Sequence, residues 1–151
     1  MATYWDVLDA VRTVVQGLSA LDGAEVSINK WPGFNPLMGS IRGVLIAPND
    51  RLAEKIAELQ FDANCWKDYE VFVIVVAEAR FDEETIKWRM DRRSDIWNAL
   101  FKPTALVASV SDEFDVKYDP EPGGVDGASF PETLDWTAMK FTYRTSEARP
   151  S

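Results

Sequence analysis

The apolar patterning of the chain predicts an α+β fold, an antiparallel sheet of four or five strands flanked by two main helices. Three stretches carry that expectation. Tyr69 to Ala77 is nearly all apolar and β-branched, the composition of a central strand covered on at least one face. Asp82-Glu83-Glu84 opens a long helical pattern that reaches about Phe101, with the acids at the positive end of the helix dipole. Leu134 to Thr145 alternates, so that Met139, Phe141 and Tyr143 make an apolar face against a mixed face of Trp136, Ala138, Lys140, Thr142 and Arg144.

The remaining elements follow in order. Thr3 to Leu18 reads as an amphipathic helix. Thr3 caps it, Asp6 stands three residues on, and Leu8, Val11, Val15 and Leu18 share one face. Leu21-Asp22-Gly23 ends it. Glu25 to Lys30 is a strand, with Val26 and Ile28 facing one way. Ile41 to Ala47 is the next, closed by Pro48-Asn49-Asp50. The link between them is short enough for antiparallel pairing. Asp50 to Trp66 is ambiguous between an extended arm and a helix, and the spacing of Leu52, Ile56 and Leu59 favours at least a short helix. In the helix after Asp82, Ile86, Met90, Trp97 and Leu100 form most of an apolar stripe, which puts Trp97 in the core and Trp88 off the stripe. Pro103 lies just past its end. Ala105 to Val110 and Phe114 to Tyr118 read as strand segments, and Ser146 to Ser151 as a frayed tail. One domain spans 1–151, with irregular segments at 31–40, 50–67 and 119–133.

Composition narrows the chemistry. The chain has no histidine and one cysteine, Cys65. That excludes a Ser-His-Asp triad, a Cys-His pair, a histidine-ligated zinc site and an internal disulfide. Cys65 fits a reducing compartment. The longest apolar run, Val71 to Ala77, is far too short to span a membrane. No basic stretch followed by an apolar block opens the chain, so no signal peptide is expected. The net charge is −9, which favours solubility and disfavours nucleic-acid binding.

Carboxylates are the catalytic groups left. Asp112, Glu113, Asp115, Asp119 and Glu121 crowd one region, but such acids beside turns are normally solvated, and their spacing points to no reaction. The stretch from Asp112 to Gly124 lacks the ligand alternation of an EF-hand loop. No glycine-rich phosphate loop is present. The sequence therefore implies no enzyme, no cofactor and no resident metal.

Binding is better represented. Trp31-Pro32-Gly33-Phe34-Asn35-Pro36-Leu37-Met38-Gly39 cannot form regular structure, yet it carries four large apolar side chains. It either folds over the domain's own core or meets a partner. Six tryptophans are many for this length. Arg89, Arg92 and Arg93 form a basic patch beside Asp91 and Asp95, read either as internal helix salt bridges or as a seam to an acidic neighbour. The candidate interface residues are Trp31, Phe34, Leu37, Met38, Trp66, Trp88, Arg89, Arg92, Arg93 and Phe130.

The layout resembles the tail terminator and related neck proteins of long-tailed bacteriophages. The residues that carry the likeness are an N-terminal helix, a strand ending Val44-Leu45-Ile46-Ala47-Pro48, an irregular stretch with Arg51, and the apolar strand Val71 to Ala77. They continue with a helix ending Asp95-Ile96-Trp97-Asn98-Ala99-Leu100, the Pro-containing loop Asp119 to Pro131, and the closing phrase Met139-Lys140-Phe141-Thr142-Tyr143-Arg144. The segment from Asp50 to Lys67 and the acidic loop are longer than the family pattern. The resemblance implies a homo-oligomeric ring, usually a hexamer, at the head-proximal end of the tail. Such a ring stops polymerisation of the tail tube protein and docks the head–tail connector or stopper protein. DNA would pass through its lumen without specific binding. Acids lining that channel would let phosphates slide. Another neck ring, a small acidic binding module for a basic partner, and an enzyme using carboxylates alone remain the other readings.

Overall fold

The computed structural model describes residues 3–21, 23–35, 40–49, 64–78, 82–110, 113–123 and 133–148. Leu37, Met38, Asp112 and Phe130, the helix or arm expected over 50–63, and most of the acidic loop lie outside the described residues.

Helix α1 (Tyr4–Gln16) starts at a capping box. The Thr3 hydroxyl accepts from Asp6 N–H at 3.2 Å, and the Asp6 carboxylate accepts from Thr3 N–H at 2.9 Å. A 3₁₀ turn (Ser19–Leu21) follows. The strands are β1 (Glu25–Ile28), β2 (Phe34–Asn35), β3 (Ser40–Pro48), β4 (Asn64–Glu78), β5 (Asp115–Asp119) and β6 (Leu134–Ala148). Between β4 and β5 lie α2 (Glu83–Leu100) and the single-turn α3 (Val107–Val110). The sheet order is β1-β3-β4-β6-β5, and the two-residue β2 pairs with the start of β3. This is the α+β arrangement expected, a mostly antiparallel sheet with two main helices.

Four details correct the sequence reading. First, β1 and β3 run parallel, with Val26 opposite Val44 and Ile28 opposite Ile46. The residues between them do not form a plain hairpin turn. Trp31 and the buried Pro32 lie against the sheet, and Phe34–Asn35 pair antiparallel with Ile41 and Ser40, so the chain enters β3 in the direction of β1. Gly43 permits this, because a Cβ there would strike the Glu25 carbonyl oxygen and Pro32 Cγ, 2.7 Å away. Second, β4 begins at Asn64, so Trp66 stands in a strand and not in an irregular segment. Third, β6 continues to Ala148, paired with Asn64, where a frayed tail was expected. Ladder hydrogen bonds to β4 hold both extensions. Fourth, Ala105–Val110 is a turn followed by one helical turn, closed by Val110 N–H to the Leu106 carbonyl at 3.0 Å. The apolar composition there reflects one buried anchor, Leu106, and not strand alternation.

The core lies between the sheet and the two main helices. α1 buries Val7, Leu8, Val11 and Val15. β3 and β4 supply Val44, Ile46, Tyr69, Val71, Val73 and Val75, and β6 supplies Met139, Phe141 and Tyr143, all three fully buried. The Tyr143 hydroxyl donates to the Leu100 carbonyl at 3.2 Å, which fixes the C-terminal end of α2 on the sheet, and burial pushes its pKa up. On the opposite sheet face Leu45, Phe72, Ile74, Val76, Leu134 and Ala138 form a second buried cluster, with Trp31 and Trp136 packed on it. Beside that cluster the face is charged. Arg144 grips Asp68 with two nitrogens at 2.6 and 2.9 Å, and Lys140 Nζ lies 3.1 Å from the buried Glu70 carboxylate.

Candidate functional site

The α2 helix decides what the surface offers. Its fully buried residues are Thr85, Ile96 and Leu100, and Trp88, Arg89, Arg92 and Arg93 are half-buried. The helix is therefore rotated from the expected stripe. Leu100 is core, as read, but Ile86, Met90 and Trp97 face outward with Phe101, at 46, 45, 39 and 41% exposure. The sequence pattern missed this because two arginines and a tryptophan fill helix positions that face the protein. Their apolar stems and ring pack while the charged heads reach polar partners.

Trp88 lies between two guanidinium groups, Arg42 at 5.4 Å and Arg92 at 6.0 Å from its ring centre. Arg92 also donates to Asp95 at 3.0 Å and to the Ala20 carbonyl at 3.2 Å, tying α2 to the turn after α1. Arg93 reaches the other way. It donates to the Tyr118 hydroxyl (3.4 Å), the Pro120 carbonyl (2.6 Å), the Ala138 carbonyl (3.4 Å) and the Thr137 hydroxyl. It clamps the place where β5 parts from β6. All four acceptors are neutral. Arg89 has a buried Nε without a hydrogen-bond partner. The three arginines thus form no common patch. Arg92 and Arg93 serve internal contacts in opposite directions, and the Lys87–Asp91 pair on the outer side of the helix holds the Asp91 carboxyl below its ordinary pKa.

The other sequence candidates scatter. Trp31 is half-buried on the second cluster, so at this residue the loop covers its own core. Phe34 in β2 pairs with Ile41, and Trp66 in β4 pairs with Ser146. Of the acids near β5, Glu113, Asp115 and Glu121 are exposed, and Asp119 accepts from Glu121 N–H at 3.0 Å, a turn-forming bond. Among the described residues no group of three or more Asp, Glu or Cys is placed to hold a metal ion, and no helix is long and apolar enough to cross a membrane.

What the structure assembles instead is an apolar groove between α2 and the β5–β6 edge. Trp97 stacks on Phe101 with ring centres 5.5 Å apart, and both meet Tyr118, which leans on the buried Phe141 at 5.2 Å. The aromatic series anchors the surface rings to the core. Two depressions share Met90 and Arg93. The larger, about 520 Å³, continues along Pro120, Pro122 and Trp136, and the smaller, about 280 Å³, is closed by Trp97 and Tyr118. The helical spacing of Ile86, Met90 and Trp97 was visible in the sequence. Its outward direction was not.

No family model matches the chain, and no curated protein matches its sequence.

Proposed function

We propose that this chain is a structural subunit that works by fitting against copies of itself and its neighbours. Its specific role is that of a tail-terminator ring at the neck of a long-tailed bacteriophage. The observation that carries the assembly reading is the outward apolar face of α2. Four large side chains along one side of a helix, joined to a surface aromatic cluster and a groove, are more than scattered apolar exposure and mark an interaction site. The phage assignment rests on the layout likeness described above. The α+β fold, the long apolar β4 and the closing β6 strand agree with that layout.

On this reading the subunits close into a ring, with six copies as the family pattern implies. One ring face meets the tail tube protein and the other meets the head connector or stopper. The protein resides in the virion after assembly in the host cytoplasm. No bond-making step is involved. Deleting its gene from the phage tests the role. The expected result is heads filled with DNA beside detached tails of uncontrolled length. Tails of normal length joined to filled heads would overturn the assignment.

A further inference from the structure

We propose that the outward face of α2 is the seat of a second copy of this chain, bound through the same face with its helix antiparallel, so that the free protein is a two-fold dimer. Two observations select that occupant. The first is the spacing of the apolar residues. Ile86, Met90, Trp97 and Phe101 lie within about 60° of arc on the helix, and all four are exposed. In an antiparallel pair of identical helices, residues equidistant from the two-fold axis face each other. Ile86 and Phe101 are equidistant from a point between Arg93 and Ser94, and so are Met90 and Trp97. One register therefore sets Ile86 against Phe101 of the second copy and Met90 against Trp97 of the second copy, in both halves of the pair at once. Ser94, exposed and small, comes to the axis, where the helices approach most closely. Arg93 does not stand between them, because its hydrogen bonds turn its guanidinium down onto Tyr118, Pro120, Thr137 and Ala138.

The second observation is charge. Glu83 opens the same stripe and is exposed, and Lys102, also exposed, follows its end. In that register Lys102 of one copy comes level with Glu83 of the other to within about 3 Å along the helix axis. A parallel pair would set Glu83 beside Glu83 and Lys102 beside Lys102, so the charges reject it. The antiparallel pair also opposes the two helix dipoles. An isologous contact of this kind closes at two copies. It builds no ring, and its existence does not rest on the ring reading. On that reading it is the state of the subunit before assembly, in which the apolar face is held away from water until contacts in the neck replace it.

The test uses the full chain and surface variants, each verified to fold as the parent does by circular dichroism and thermal melting. Sedimentation velocity is run over a concentration series. The parent is expected to form a dimer that grows no further, and Met90→Glu to dimerise at least about 30-fold more weakly, as for loss of an interface hot spot. Charge reversal tests the direction of the pair. Lys102→Glu should weaken the dimer about 5-fold or more, and adding Glu83→Lys to it should restore the parent's affinity. Cross-linking tests the register. In a Cys65→Ser background, Ser94→Cys should form a disulfide dimer on mild oxidation, since the two copies of this residue meet at the axis. Asn98→Cys should not, because its two copies stand about 13 Å apart along the axis. A parent that is monomeric at every concentration overturns the proposal, as do a charge swap that fails to restore affinity and a disulfide that forms equally at both positions. A parent that assembles directly into rings with no dimer overturns it and leaves the ring reading standing. Deletion of the gene that leaves heads and tails correctly joined overturns the ring and leaves the dimer standing.

Discussion

Arg93 shows how one side chain can decide a local structure. β5 leaves β6 after Asp119, and the carbonyls there need donors. The planar guanidinium supplies them at four points at once, a geometry a lysine ammonium cannot reproduce. Arg93→Lys is therefore expected to cost about 1–2 kcal/mol, through lost hydrogen bonds to groups left half-buried, read as a lower urea midpoint at unchanged m-value. Asp6 gives a pH prediction. The Thr3 backbone N–H, and then the Thr3 hydroxyl, hold its carboxyl below the ordinary value of 3.8. A carboxyl lowered in the folded state contributes stability that is complete above pH 3.8 and is lost as pH falls through its folded value. Asp6→Asn should thus flatten the acid limb of a stability-against-pH curve and leave the slope near neutrality unchanged. An unaltered acid limb would rule out that role. The capping box was legible in the sequence because Thr3 and Asp6 have the required spacing. The reach of Arg93 was not, because its acceptors lie 25 to 45 residues away.

Elements were legible where composition and geometry agree. The β4 and β6 strands could be read because β-branched runs and strict alternation have few other solutions, and the burial of Met139, Phe141 and Tyr143 matches the pattern. The rotation of α2 was not legible. Apolar identity alone points to Ile86, Met90 and Trp97, whereas long arginine stems and Trp88 take the inner positions. The orientation makes a clean contrast. Ile96→Ala removes a fully buried side chain and should cost about 2–4 kcal/mol. Trp97→Ala, although it deletes more atoms, should cost about 1 kcal/mol, the value of its surface aromatic contacts. Denaturant melts that reverse this order would place Trp97 in the core. The parallel β1–β3 pair was missed for a related reason. A short link suggests a hairpin, but Trp31 and Pro32 pack on the far face of the sheet and redirect the chain, and Gly43 leaves the room for Pro32.

At the scale of the whole molecule the described residues form a sheet with two helices on one face and a second apolar cluster on the other, plus an outward aromatic groove beyond what folding requires. A net charge of −9 favours solubility despite that groove. On the proposed reading, six copies would bring −54 to one ring, and acids facing the lumen would keep DNA from adhering. Such a lumen should be insensitive to DNA in binding assays at physiological salt, whereas basic lumen walls would bind it with a steep salt dependence. The central claim, assembly with copies of itself at the neck, is tested most directly by electron cryomicroscopy of virions carrying a labelled copy of this protein. The account predicts a closed ring of this fold at the head-proximal end of the tail. Label found elsewhere, or a single unringed copy at that position, would contradict it.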